Sequence, residues 1–271
     1  MRSRRALGSN RILTGAIVAL ILLVSAVLVV IRGHEFFVDA YEDIAYAFDP
    51  SAARAFQYGE RHFSSSDPQD YDIDRAADFF NRAAAIDPAT PYLYHELART
   101  SFIEGNLRVA LAQIDFQISM YGDKAPRSYY VRGLIEGYMG HYEDAELDYQ
   151  HYLTLVPRSW AGMNDYAWVL LKDNKPQVAA LVTDEGVSEY PDNPWLLNNN
   201  ATALYETGDI ADAKSIILRT EAVVQKLTPA QWSTAYPGND PQIAAEGVET
   251  FQAAVVDNMH RIESATTSMS I

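Results

Sequence analysis

The side chains best suited to catalysis or metal binding are the histidines and carboxylates, and neither set has a catalytic arrangement. The 271 residues include six histidines, and no two of them stand three or four residues apart, so no helix presents a pair of imidazoles to a metal. The chain contains no HExxH, GxSxG, GxGxxG or glycine-rich phosphate loop. It contains no cysteine, which removes thiolate sites and disulfides. We therefore expect no enzyme activity, no cofactor and no metal site.

The regularity of the sequence lies instead in one alanine that recurs every 34 or 35 residues. These alanines are Ala76, Ala110, Ala145, Ala179 and Ala213. A turn signal precedes four of them, at Gly105-Asn106, Gly140-His141, Asn174-Lys175 and Gly208-Asp209. Pro88, Pro157 and Pro191 each follow their alanine by twelve residues. A fixed period of this size indicates stacked helical repeats, with the alanines where two helices approach closely.

A unit of helix, glycine turn, helix and proline exit resembles the tetratricopeptide repeat (TPR) family. The best copy spans residues 126–157, and the resemblance covers roughly residues 51–227 in five copies. It implies an all-α fold, a TPR α-solenoid in which helical hairpins form a right-handed superhelix. The alternative is an unrelated bundle of helical hairpins.

In TPR folds the first helix of each repeat lines the concave groove. By position, the resemblance implies these groove residues: Tyr92, His95, Arg99, Phe102, Arg127, Tyr130, Leu134, Tyr138, Asn164, Trp168, Lys172, Trp195, Asn198, Thr202 and Tyr205. The lysine–asparagine carboxylate clamp of chaperone-binding TPR proteins is missing, because Phe56 and Glu60 stand at the comparable first-repeat positions.

The implied groove suits a protein or peptide partner. Tyrosine, tryptophan and arginine are the residue types that carry most binding energy at interfaces. Asn164 and Asn198 stand at equivalent places, and their amides can donate to and accept from an extended peptide backbone. Arg99, Arg127 and Lys172 favour a ligand with an acidic or carboxylate element. Alternatively, several of the aromatic residues pack between repeats.

The N-terminal segment predicts a membrane anchor. Residues 1–11 carry four arginines and no acid, and residues 12–31 form an uncharged run of twenty, long enough for a transmembrane helix. A signal peptide cleaved near Val24-Ser25-Ala26 is the alternative, although the apolar run continues past that point. The arginines predict a cytoplasmic N-terminus and an extracytoplasmic repeat domain, on the periplasmic or cell-surface side.

The flanking segments complete the predicted domain plan. Residues 32–50 form a juxtamembrane segment whose Phe36, Phe37, Tyr41 and Tyr46 either lie at the headgroups or pack on the first repeat, and Asp49-Pro50 is expected to cap the first repeat helix. Residues 228–264 are expected to form a short helix and a long helix that caps the array. Residues 265–271 are expected to be a disordered tail.

The charge distribution separates the N-terminus from the rest of the chain. Five of the 21 basic residues and none of the 36 acids lie in residues 1–32, which leaves residues 33–271 with a net charge of −20. Such a surface does not suit nucleic acid. This acidic surface either keeps the protein soluble, or binds a basic partner, or holds the domain away from lipid headgroups.

These features together predict a membrane-anchored TPR scaffold that helps to assemble an envelope or membrane protein complex. Three alternatives stay open: a self-associating structural protein of the envelope, an accessory subunit of a membrane enzyme complex, and a repeat domain that faces the cytosol. The oligomeric state, including a homo-oligomer, is left open by the sequence.

Overall fold

The chain folds into sequential helical hairpins. The computed structural model describes residues 38–64, 68–236 and 239–268, together with the isolated residues 20, 23 and 33. Helical residues 38–48 precede the hairpins. The helices that follow are α1 (Ala52–Ser64), α2 (Ile73–Ile86), α3 (Leu93–Ile103), α4 (Leu107–Tyr121), α5 (Arg127–Met139), α6 (Tyr142–Leu155), α7 (Trp160–Lys172), α8 (Pro176–Glu189), α9 (Pro194–Thr207), α10 (Ile210–Val224), α11 (Pro229–Ala235) and α12 (Ala244–Ser268). Short 3-10 helices lie at Gly122–Lys124 and Pro241–Ile243. Within these ranges the fold has no strand, and the all-α prediction is confirmed.

The periodic alanines lie in the second helix of each hairpin and are completely buried. All five have no exposed surface. The turns before them adopt the left-handed backbone conformation at Gly105, Gly140 and Gly208 (φ of 78°, 81° and 89°) and at Asn174 (φ 56°). Glycine and asparagine tolerate this conformation better than other residues do, which explains the turn signals. Sequential hairpins also pack on one another, as a solenoid requires.

The first hairpin depends on a close approach between α1 and α2. A Cβ atom added at Gly59 would lie 2.5 Å from the Phe80 ring. Phe63 and Phe80 are themselves fully buried in the core of this hairpin. The glycine is therefore what allows the two helices to pack at this distance.

Residues 38–48 pack onto the first hairpin. The carboxylate of Glu42 is buried and lies 2.7 Å from His62 Nε2. Tyr46 makes an edge contact with Phe79, so it packs on the first repeat, whereas Tyr41 is 68% exposed. Phe36 and Phe37 lie outside the described residues.

The start of α1 differs from the expected Asp49-Pro50 cap. The helix begins at Ala52, and the Ser51 hydroxyl accepts a hydrogen bond from the Arg54 backbone N–H at 3.3 Å. Asp49 instead pairs with the Arg54 guanidinium at 2.8 Å. The proline thus stands before the cap rather than inside the first turn.

The C-terminal helices cover the end of the array. Val255 and Ile262 of α12 join the buried core of α10 around Ile217 and Val224. The α12 helix reaches Ser268, four residues past its expected end near Ser264, and residues 269–271 lie outside the described part of the chain.

The described residues include no helix that is both long and apolar enough to cross a membrane. The expected span at residues 12–31 lies outside them except for Leu20 and Leu23.

Candidate functional site

A cavity of about 870 Å³ runs along the first helices of all five hairpins. Residues of α1, α3, α5, α7 and α9 line it, as the concave groove of the resembled family implies. Twelve of the fifteen predicted groove residues are among the lining residues: Tyr92, His95, Arg99, Phe102, Arg127, Tyr130, Leu134, Tyr138, Asn164, Trp168, Trp195 and Asn198. Their role in binding a partner stays a prediction.

Lys172, Thr202 and Tyr205 do not line the cavity. Lys172 is exposed at the end of α7. The Thr202 hydroxyl donates to the Asn198 carbonyl. The ring of Tyr205 lies under the Arg261 guanidinium of α12, 4.8 Å away, so it belongs to the contact with the capping helix.

The end of α11 and the residues after it form a wall of the cavity that the sequence did not reveal. Ala235, Tyr236 and Asn239 line the cavity beside the repeat helices. Further along, the Gln242 amide donates to the Pro68 carbonyl at 3.1 Å, between α1 and α2. The described residues 235–236 and 239–242, which we name the strap, therefore contact both the cavity lining of the repeats and the loop between α1 and α2.

Aromatic rings cover much of the cavity surface in two groups. In the first, Tyr138 contacts both Phe102 and Trp168, with ring centroids 5.1 and 5.2 Å apart. In the second, Trp160 contacts Trp195 and Tyr236 at 5.5 and 5.0 Å. Trp195 also stacks on Phe251 of α12, with an interplanar angle of 4°. The flat, apolar faces suit a ligand with exposed hydrocarbon or aromatic parts.

Asp165 lies between the second aromatic group and α5. Its carboxylate accepts hydrogen bonds from the Tyr130 hydroxyl at 2.5 Å, the Asn164 amide at 2.9 Å and the Tyr236 hydroxyl at 3.3 Å. The Asn164 amide oxygen accepts in turn from Asn199 at 3.0 Å. Burial raises the pKa of Asp165 to about 6, although these hydrogen bonds act in the opposite direction.

The other end of the cavity holds the charged groups of α3. Arg99 pairs with Glu96 at 2.6 Å and lies over the Phe63 ring, 4.2 Å from its centroid. Burial raises the pKa of Glu96 to about 7 against the attraction of Arg99. Burial also lowers the pKa of His95 to about 3, helped by the positive charges of Arg99 and Arg127, so this histidine is neutral. Glu60, at the position noted for the missing carboxylate clamp, faces the same region with its pKa raised by burial.

The charge of the cavity is therefore more balanced than the sequence suggested. Two cations, Arg99 and Arg127, and three acids, Glu60, Glu96 and Asp165, line it. Arg127 is exposed and forms no ion pair with any residue that the structure describes. It is the cation best placed to meet an acidic ligand.

The described residues contain one group with the donor set for a metal ion: Asp39, Glu42 and His62, whose ligand atoms lie within 4.8 Å of one another. Two arginines already neutralise it, since Arg75 lies 2.9 Å from Asp39 and Arg61 lies 3.3 Å from Glu42. The group therefore fits a structural ion-pair network better than a cation site.

Sequence reasoning missed Trp160, Asp165, Tyr236 and Phe251. The first two lie on α7, where the repeat position pointed only to Asn164, Trp168 and Lys172. Tyr236 contacts α7 across more than 70 residues of sequence. Such a distant contact leaves no local pattern in the sequence, so the repeat spacing could not predict the position of the strap.

The comparisons with known proteins identify the fold. No protein-family model matches the sequence, and no significant match is found among curated proteins. Similar solved structures include the following three. A tetratricopeptide repeat protein from Parabacteroides merdae ATCC 43184 has a TM-score of 0.60 at 14% identity, over 87% of this chain and 94% of that one. MamA has a TM-score of 0.54 at 14% identity, over 65% and 92%.

The third structure is YrrB, described as a TPR protein with an unusual peptide-binding site. Its TM-score is 0.51 at 16% identity, over 72% of this chain and all of that one. The architecture expected from the resemblance is thereby supported, because this chain has the fold of tetratricopeptide repeat proteins.

Proposed function

We propose that the chain is a membrane-anchored scaffold that binds an extended segment of a partner protein in its cavity. The observation that carries the proposal is the cavity itself, which the first helices of all five hairpins line together. Its volume of about 870 Å³ falls in the range of sites that enclose a ligand rather than merely touch it.

The lining residues support a peptide ligand. Asn198 and Asn199 line the cavity on α9, and side-chain amides can pair with the backbone groups of an extended chain. The amide of Asn164, on α7, is already bonded to Asp165, Tyr236 and Asn199. The aromatic groups supply apolar area at low entropic cost. We expect an acidic group of the ligand to bind Arg127, the exposed cation at the end of the cavity that α3 and α5 form.

The proposed anchor is the uncharged run at residues 12–31. In this proposal the N-terminus lies in the cytoplasm and the repeat domain lies outside it. The protein complex that the scaffold helps to assemble therefore belongs to the envelope or the membrane. The arginines before the run and the acids after it support this orientation. Protease protection in intact cells tests it, because a cytoplasmic repeat domain would resist external protease after any outer membrane is breached.

Selection tests the binding function directly. The full chain, held in mild detergent, is used to select from a library of random twelve-residue peptides displayed on phage. We expect enriched peptides that lose at least tenfold in affinity for the double variant Trp168→Ala, Asn198→Ala. The control variant Leu181→Ala changes a side chain on α8 that is 70% exposed and does not line the cavity. The absence of enrichment, or equal affinity for both variants, would contradict the proposal.

Light scattering separates this function from self-association. A tight homo-oligomer whose cavity excludes every selected peptide would favour the structural role instead.

A further inference from the structure

The end of the cavity around Asp165 has a negative charge with no positive partner among the residues that the structure describes. Its three hydrogen-bond donors are two tyrosine hydroxyls and an amide, and all three are neutral. Asp165 forms no ion pair with any residue in the described ranges. A carboxylate offers about four lone-pair positions, so three donors leave room for another.

The two cations of the cavity act elsewhere. Arg99 pairs with Glu96 on the same helix. Arg127 affects the pKa values of His95 and Glu96, whereas neither arginine is among the influences on the pKa of Asp165. The acid at this end is therefore not neutralised by the basic residues of the other end.

The surfaces next to Asp165 also favour a positive charge. Trp160, Trp195 and Tyr236 line the same cavity and contact one another through their rings. The faces of aromatic rings carry partial negative charge and attract ammonium and guanidinium groups, most strongly where water is excluded. A partly buried carboxylate and aromatic faces thus act on a ligand in the same direction.

We propose that this end of the cavity, which we name the Asp165 subsite, receives the positively charged side chain of a lysine or arginine from the bound partner segment. The proposal rests on the proposed function, since it concerns the same cavity and the same ligand. The side chain would take the free acceptor position of Asp165 and lie against the indole and phenol rings. With an acidic element at Arg127, the recognised segment would carry both signs of charge.

Synthetic peptide pairs test the subsite. Peptides selected on the full chain are made with each lysine replaced by norleucine and each arginine by citrulline, which keeps the shape of arginine but has no charge. Affinities are measured by fluorescence anisotropy for the unchanged protein, for Asp165→Asn and for Asp212→Asn. Asp212 is exposed on α10, outside the cavity, so its variant removes an equal charge elsewhere.

We expect one basic position whose neutral replacement lowers affinity at least tenfold for the unchanged protein and for Asp212→Asn, but less than twofold for Asp165→Asn. Selected peptides that bind equally well without any positive charge would overturn the subsite and leave the proposed function standing. A basic position that matters equally in all three proteins would place the cation elsewhere and also overturn it. If no peptide is enriched at all, the proposed function fails and the subsite fails with it.

Discussion

The hydroxyl of Tyr236 donates a hydrogen bond to the carboxylate of Asp165, 71 residues earlier in the chain, at 3.3 Å. The same hydroxyl accepts a hydrogen bond from the Asn164 amide at 3.0 Å. One tyrosine of the strap is thus tied to two neighbouring polar residues of α7. Because Asp165 belongs to the proposed binding site, this contact couples the position of the strap to the site.

Removing this hydroxyl should loosen the strap. Tyr236→Phe keeps the ring among Trp160 and Trp195 but leaves Asp165 and Asn164 each short of a partner, which should lower the free energy of unfolding by about 1–2 kcal/mol. Urea unfolding measures the loss, and limited proteolysis should cut the strap faster. The matched control is Tyr41→Phe, because Tyr41 is 68% exposed. Equal stability of the two variants would show that the contact does not hold the strap.

The segment before the repeats should depend on one buried carboxylate. Glu42→Ala leaves His62 and Arg75 without a buried partner and should lower the free energy of unfolding by about 3 kcal/mol. Asp43→Ala, on the same helix, removes half-exposed pairs with Arg75 and Arg82 and should lower it by less than about 1 kcal/mol. Chemical unfolding of both variants measures the difference. Similar losses would mean that the buried carboxylate of Glu42 holds residues 38–48 no more strongly than the half-exposed pairs of Asp43 do.

Acidification should stabilise the protein through Asp165. Its pKa is raised to about 6 by burial, above the value of an exposed aspartate, so the folded state binds this proton more tightly than the unfolded state. The contribution of Asp165 to stability therefore rises as the pH falls from about 7 towards 4. Asp165→Asn has no proton to bind and should lack this gain.

Unfolding in urea at pH 7.5 and pH 5.0 checks this difference. Glu96 acts in the same direction as Asp165 and His95 in the opposite one, because their pKa values are shifted to about 7 and about 3. Both groups remain in the variant, so the comparison between wild type and Asp165→Asn isolates the single carboxyl. A pH dependence that is identical in both proteins would contradict the raised pKa.

The repeat period was enough to predict the helical hairpins. An alanine at the same place in each unit of 34 or 35 residues indicates that the same close contact recurs, and Ala76 and Ala213 are indeed buried. The turn glycines had an equally local cause in their left-handed backbone. Twelve of the fifteen predicted groove residues line the cavity because one face of each first helix turns towards it, whereas the other sixteen lining residues were not in the predicted set.

The remaining features depend on contacts that do not recur from one repeat to the next. Tyr205 stands at a groove position, yet α12 covers it through Arg261, because the capping helix folds back over the last hairpin. Glu42 gave no sign of burial in an acidic segment, since its partner His62 is 20 residues away. The charge balance of the cavity likewise came from acids on the lining helices that were absent from the predicted groove set.

The buried alanines provide the sharpest test of the repeat packing. Ala213 of α10 has no exposed surface and lies in the core shared with Ile217 and α12, so Ala213→Leu forces extra methylene groups into a filled space. Such overpacking should lower the free energy of unfolding by about 1–3 kcal/mol. Ala211→Leu makes the same change at an exposed position of the same helix and should alter it by less than about 0.5 kcal/mol. Urea unfolding of both variants measures the effect, and equal stability would mean that α10 does not pack against its neighbours through Ala213.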